Sequence, residues 1–456
     1  MPHLSLGLRR TRFALAATTL CASLTTAVIA GAAAPGGVPT FTDGQGLHVL
    51  DVKQIDSRDY NVEVLSPFLG RPININVLLP VSYTTNTLQR YPVLYLFHGT
   101  GGRATDWTVA GHAEETTAPY DVITVMPEVG FNGDGGFWFT NWVDQTTSHG
   151  PSQFEDYLIK SMIPWVDQNL RTIPSREGRA VAGLSQGGYG SSEMAARHPD
   201  MFVSMASFSG APEIARDPEV FAGAIGVIEA IEVGEDNVPP FSELGSPVLD
   251  LINWQGHDPA TLIENLRGMD ISLWTGTGVD GPYDSTPNPA GTAIEAAVYE
   301  STDHFYKHLV EANIPAYYDN YVFGTHSFPY WARDLQAYVP KMMAAFAHPS
   351  APASIYYTSI DKNWSQWGYD VSLRRTAELE FSTLRNASAH GFTFTGTGTA
   401  SVTTPAQYRP NERLLVTSGS GAAQPMRADS TGRLHLVLDL GTAGTATVTI
   451  APDKLG

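Results

Sequence analysis

Between residues 45 and 346, short uninterrupted apolar runs alternate with stretches whose apolar residues recur at helical spacing, and few architectures accept that rhythm. "YPVLYLF" (91–97), "DVITVMP" (121–127), "GRAVAGL" (178–184), "FVSMASFS" (202–209) and "ISLWTGT" (271–277) read as buried strands. "SQFEDYLIKSMIPWVDQNL" and "TAIEAAVYESTDHFYKHLVEANI" read as amphipathic helices. Such alternation predicts a mainly parallel sheet covered on both faces, an α/β domain spanning 45–346. Residues 212–268 fit the rhythm poorly and read as an insertion that could serve as a lid. At "AHPSAPAS" (347–354) a linker begins, and alternating runs such as "RLHLVLDLGTAGTATVTI" beyond it predict a small all-β, sandwich-like domain over 355–456. That domain shows no catalytic cluster. Its two readings are structural support, which is preferred, and binding of carbohydrate or cell-wall polysaccharide.

The first 34 residues differ in kind: a basic "LRRTRF" leads into the small, apolar "ALAATTLCASLTTAVIAGAAA". This predicts an export signal over 1–34, cut near Ala32, and a chain that is secreted, extracellular or wall-associated. A retained membrane anchor is the alternative, because the run is long enough to span. Arg9 and Arg10 hint weakly at twin-arginine export, and Cys21 lacks the small preceding residue that lipidation requires. Cys21 is also the sole cysteine, so removing the leader excludes disulfides, zinc–thiolate sites and cysteine nucleophiles. The net charge of −19 becomes −22 without the leader's three arginines, which argues against nucleic acid and anionic membranes as partners.

Chemistry concentrates at "RAVAGLSQGGYG" (179–190). A Gly-x-Ser-x-Gly match is weak alone, but here an apolar strand runs into Ser185 and a small-residue helix leaves it. Such an elbow strains the central residue and exposes its hydroxyl at a helix N-terminus, so Ser185 is the candidate nucleophile. A serine hydroxyl needs a base, and "YVFGTHSFPYW" (321–331) offers His326 on a strand–turn–helix after the last core strand. His304 and His308 fall within a helix and read as surface or packing residues. Two acids compete to orient the imidazole: Asp280, just past a strand, and Glu295, farther on in a helix. Spacing alone prefers Asp280. The oxyanion donors are expected to be the backbone N–H groups of Gln186 and of Thr100, with Gly101 as the alternative, in the glycine-rich "YLFHGTGGR" loop.

Four segments then converge. "LYLFHGTGG", "MPEVGFNGDGGFWFTNW" (126–142), "VAGLSQGG" and "GTHSFPYW" make the chain resemble the secreted mycolyltransferases (antigen 85-like) within the esterase D group of α/β-hydrolases. The resemblance covers roughly residues 45–346 and implies an α/β-hydrolase fold and a secreted serine acyltransferase or esterase working through an acyl-serine. It also implies Glu295 as the triad acid, 31 positions before His326, with Phe305 at a recurrent aromatic place and Glu300 and Asp280 as alternatives. His98, Arg103 and Trp142 become substrate-binding candidates, although His98 stands where better-known members carry an aspartate that contacts trehalose. Acyl esters or glycolipids are the implied substrates, and no metal or organic cofactor is implied. A carboxylesterase that only hydrolyses is the second reading. A catalytically silent wall-binding protein is the third. Oligomeric state is left open.

Overall fold

The computed structural model describes residues 37–130, 136 and 138–453; the expected leader lies outside them. The apolar runs become the middle of a nine-stranded sheet formed by β1 (His48–Gln54), β2 (Asp59–Leu65), β3 (Pro72–Leu78), β4 (Val93–Phe97), β5 (Ile123–Pro127), β6 (Arg179–Leu184), β7 (Ser204–Phe208), β8 (Asp270–Thr275) and β9 (Tyr317–Asn320). Their order is β1-β2-β3-β5-β4-β6-β7-β8-β9. The pairs from β5 through β9 are parallel, while β1, β2 and β3 add an antiparallel wing.

Sequence period explains the layering. Along β4, Val93, Tyr95 and Phe97 enter one hydrophobic cluster, while Leu94 and Leu96 enter another on the opposite face. A strand buried on both faces has no polar side to spare, which is why these runs are apolar throughout. Strand order reverses around β4, and in such sheets the crevice beyond the strands' carboxyl ends is where ligands bind. The last strand of the sheet is Tyr317–Asn320, so "YVFGTHS" begins just past it, a shift of one turn from the strand expected at 321.

Residues 212–268 contain one long helix, Pro218–Gly234, here termed the cover helix. A second helix, Pro289–Glu311, precedes β9, and Phe328–Ala347 follows the histidine loop. Beyond it, eight antiparallel strands from β10 (Ile355–Ser359) to β17 (His435–Pro452) form a second hydrogen-bonded network around its own core. This network docks on the α/β region by specific polar contacts. Tyr357 OH donates to the Arg197 carbonyl at 2.9 Å, Thr358 N–H to Asn265 Oδ1 at 2.8 Å, and Trp367 N–H to Asp200 Oδ2 at 2.7 Å.

Candidate active site

Ser185 occupies the turn between β6 and the helix Gln186–Arg197 with φ 54° and ψ −124°, a conformation a side chain adopts only under constraint. The constraint is visible around it. A Cβ on Gly183 would overlap the Gly187 carbonyl, and one on Gly187 would overlap the His98 carbonyl, so strand, helix and neighbouring loop pass too closely for any other residue. Ser185 N–H donates to the Phe208 carbonyl of β7 at 2.9 Å, fixing the turn to the sheet.

Three side chains distant in sequence meet here. Ser185 Oγ lies 2.8 Å from His326 Nε2, and His326 Nδ1 lies 2.7 Å from Glu295 Oε2. These partners assign the tautomer: Nδ1–H donates to the carboxylate and Nε2 accepts from the hydroxyl. Glu295 is fully buried, and its other oxygen accepts from Gly276 N–H at 2.7 Å, Ser209 OH at 2.8 Å and Thr275 OH at 3.3 Å. A carboxylate gripped at both oxygens cannot swing away from the ring. Asp280, preferred by spacing, is exposed on its loop, with no hydrogen bond or ion pair to His326 among the described residues. Glu300 lines the cavity described below and likewise makes no contact with the ring.

The histidine loop is pinned from two sides. His326 N–H donates to the Gly291 carbonyl at 3.1 Å, and Trp331 meets the imidazole edge-on at 4.8 Å. Asp284, which sequence reasoning missed, accepts from Gly281 N–H, Thr325 OH and Tyr330 OH, bridging the loop before the acid's helix to both flanks of His326. Its signal was present as "GPYD", an aspartate in a turn, but nothing along the chain ties that turn to position 325.

Beside Ser185, the loop after β4 comes close enough that a Cβ on Gly99 would lie 3.1 Å from Ser185 Cβ. Thr100 is half-buried there and Gln186 opens the helix; among the described residues, neither backbone N–H is engaged by another group. Both ring nitrogens of His98 are engaged within the protein. Its Nδ1–H donates to the Gly99 carbonyl at 2.7 Å and its Nε2 accepts from Val129 N–H at 2.8 Å, leaving no ring nitrogen for a ligand. Burial holds its pKa below the usual histidine value, so the neutral ring braces the loop. The other two binding candidates are also displaced. Arg103 is exposed and outside the cavity, its N–H tied to Asp106, and Trp142 is buried in the main core. Besides Trp331, Trp138 also lines the site, packed edge-on against Tyr189 at 5.1 Å.

Ser185 and His326 open onto a cavity of 810 Å³. Val220, Ala224, Val227 and Ile231 of the cover helix form one wall, and Ile294 and Val298 of the acid-bearing helix form another. Among the described residues no helix is long and apolar enough to cross a membrane.

Comparison with known proteins agrees with this geometry. The family model described as putative esterase matches residues 66–342. A Mycobacterium tuberculosis protein named as an esterase is 32% identical over 280 residues, covering 60% of this chain and 57% of its own length. The diacylglycerol acyltransferase/mycolyltransferase Ag85C of Mycobacterium avium is 27% identical over 298 residues, 62% of this chain and 76% of that one. Among solved structures, MPT51 of Mycobacterium tuberculosis aligns with a TM-score of 0.51 at 25% identity, covering 64% of this chain and 100% of that one. The chain therefore spans little more than half the length of the esterase relative it matches.

Proposed function

The chain belongs to the putative esterase family, and on that premise we propose that it is a serine acyl-transfer catalyst whose cavity receives the apolar acyl chain of an ester. The observation that carries this reading is the continuous hydrogen-bonded line from Ser185 Oγ through His326 to Glu295 at the mouth of an apolar-walled cavity. In this mechanism His326 Nε2 takes the hydroxyl proton as Ser185 Oγ bonds to the ester carbonyl carbon. The negative charge passes to the carbonyl oxygen, which Gln186 N–H and Thr100 N–H hold; each such donor is worth about 3–4 kcal/mol in comparable sites. Glu295 stabilises the imidazolium and keeps its face toward the serine. The carbon–oxygen bond to the alcohol breaks, and His326 Nε2–H protonates the departing oxygen. Water, or a sugar hydroxyl competing with it, then gives its proton to His326 and attacks the acyl-serine, and His326 Nε2–H returns that proton to Ser185 Oγ as the acyl–serine bond breaks, releasing acid or a new ester.

With His98 buried and both its ring nitrogens engaged, this reading places acceptor choice at the cavity rim. We assign residues 45–346 to catalysis and 355–456 to a sandwich-like supporting domain; the polar docking contacts favour support over wall binding. Export through the leader 1–34 belongs to the same reading, with the folded chain acting outside the cytoplasm.

Labelling with a fluorophosphonate tests the whole proposal. Wild type should label and Ser185→Ala should not, with turnover of a p-nitrophenyl acyl ester lost and the fold retained. A wild-type chain that stays unlabelled would leave the wall-binding reading in its place. Product analysis of an acyl-trehalose substrate separates free acid, the hydrolytic product, from diacylated sugar, the transfer product.

A further inference from the structure

The root of the cover helix holds a second cluster of chemically active side chains, which the acyl mechanism does not use. Glu213 and Asp217 are four residues apart ahead of and at the start of that helix, and His304 and His308 are four residues apart on the acid-bearing helix. His304 and His308 share one helical face, while Glu213 sits in the loop ahead of the cover helix and Asp217 at its N-cap, so ligand-type groups from two segments meet there. Asp217 Oδ2 is 2.7 Å from His304 Nδ1 and 3.1 Å from His308 Nε2, and Glu213 Oε2 is 3.4 Å from His308 Nε2.

We propose that Glu213, Asp217, His304 and His308 form a divalent-cation site of the zinc class, which ties the root of the cover helix to the helix carrying Glu295. Four ligands around tetrahedral zinc at ~2.0–2.1 Å stand roughly 3.3 Å from one another, which the Asp217–His308 and Glu213–His308 separations approach, and the ligand atoms of Glu213, Asp217 and His304 all lie within 4.8 Å of one another. Two carboxylates and two neutral imidazoles match the ion's charge and its preference for nitrogen and oxygen.

Glu213 carries the strongest argument. It is fully buried, and its backbone is clamped to Ser301, whose hydroxyl accepts from Glu213 N–H at 3.0 Å and donates to the Glu213 carbonyl at 2.8 Å. One carboxylate oxygen caps Asp217 N–H at 2.9 Å, while Oε2, aimed at the histidines, has no hydrogen-bond partner. A buried carboxylate oxygen without a donor is costly unless a cation faces it. His308 adds the outer shell that metal histidines require: its Nδ1 lies 3.2 Å from Glu311 Oε2, which turns Nε2 inward. His308 and Glu311 also line a surface cleft, which offers the ion an entry path. The site stands apart from the esterase reading and does not depend on it.

The test uses the full mature chain, untagged and stripped with a chelator, titrated with Zn²⁺ by calorimetry and followed by thermal unfolding. One zinc per chain and a raised Tm are expected. The His304→Ala/His308→Ala variant should weaken binding by more than the ~10–100-fold typical of losing an outer-shell partner. Wild type without stoichiometric zinc, or a double variant binding as tightly as wild type, overturns the site. Should that variant fail to fold, Co²⁺ loaded into wild type decides: intense visible bands of four-coordinate cobalt support the proposal, and weak six-coordinate absorption refutes it. Ca²⁺ binding as tight as Zn²⁺ would also refute it, since calcium avoids imidazole.

Discussion

Glu295 and Asp280 lie 31 and 46 positions before His326, and chain distance says nothing about which of them the imidazole meets. What decides is helix phase: Glu295 sits on the inward face two turns into its helix, beneath Gly276 N–H and Ser209 OH. That face is invisible in spacing, which favoured Asp280, and became readable only through the family pattern "AIEAAVYESTDHF". Glu295→Gln should therefore lower kcat by about 10³–10⁴, while Asp280→Asn should stay within about twofold of wild type; equal losses in a p-nitrophenyl ester assay would refute the assignment. Ser185 and His326 were legible because an elbow and a loop-borne histidine are local patterns. The surroundings of His98, Arg103 and Trp142 were not legible, because whether a polar or aromatic residue faces a ligand or a core is settled by tertiary packing. His98→Ala should cost about 10² in kcat, by loosening the loop that carries Thr100, with a much smaller change in KM. A rise in KM for sugar substrates at unchanged kcat would instead restore His98 to substrate binding.

The cover helix escaped sequence reading because "PEVFAGAIGVIEAIEVG" is apolar nearly all round, and a helix without a polar face carries little helical periodicity. Its place explains the pattern: Ile228 is buried in a satellite core while Val220, Ala224 and Val227 face the cavity. Filling that wall with Ala224→Trp should reduce kcat/KM for long acyl chains by at least about tenfold and leave acetyl esters nearly unchanged; a uniform loss across chain lengths would place the acyl chain elsewhere. The helix also ends in a carboxylate cluster. Burial, reinforced by neighbouring acids, pushes Glu243 far up, Asp236 to about 7 and Glu229 to about 7, with Glu232 raised as well. Asp236 and Glu229 stabilise the folded cover most below their unfolded values near ~4 and lose that contribution as pH rises through about 7. Hydrogen-exchange protection across 218–243, taken relative to the intrinsic base-catalysed rate at each pH, should therefore fall between pH 5 and pH 8, and Glu243→Gln, a permanent neutral mimic, should blunt the fall. Protection independent of pH in wild type would show that the cluster does not govern the cover.

At the scale of the whole molecule, the α/β rhythm and the switch to all-β near residue 350 could be read from period alone, since strand and helix repeats differ. How the two regions join could not, because their contacts pair residues more than 90 positions apart. The junction centres on Arg197, buried at the end of the helix that starts beside Ser185. Its guanidinium donates to Glu155 Oε1 at 2.8 Å, the Gly256 carbonyl at 2.9 Å and Asp361 Oδ2 at 3.2 Å. Arg176 adds a bond to the Ser350 carbonyl, and His198, itself on Glu155, meets Gln366 at 3.2 Å. Cutting the chain after Ala347 would take one partner each from Asp200, from the Arg197 fork and from Asn265, which keeps its bond to the Ala196 carbonyl, and each hydrogen bond lost costs about 0.5–1.5 kcal/mol net. The triad residues and the cavity-lining residues all precede the cut. The truncated chain should accordingly unfold several degrees lower in calorimetry while keeping kcat for a short p-nitrophenyl ester within a few fold. Polar substitutions alone should reproduce part of the loss: Asp361→Ala in the full chain should lower Tm without touching kcat. An unchanged Tm in both chains would mean that the β region is tethered to the catalytic region rather than bracing it, and the carbohydrate-binding reading of that region would then take precedence.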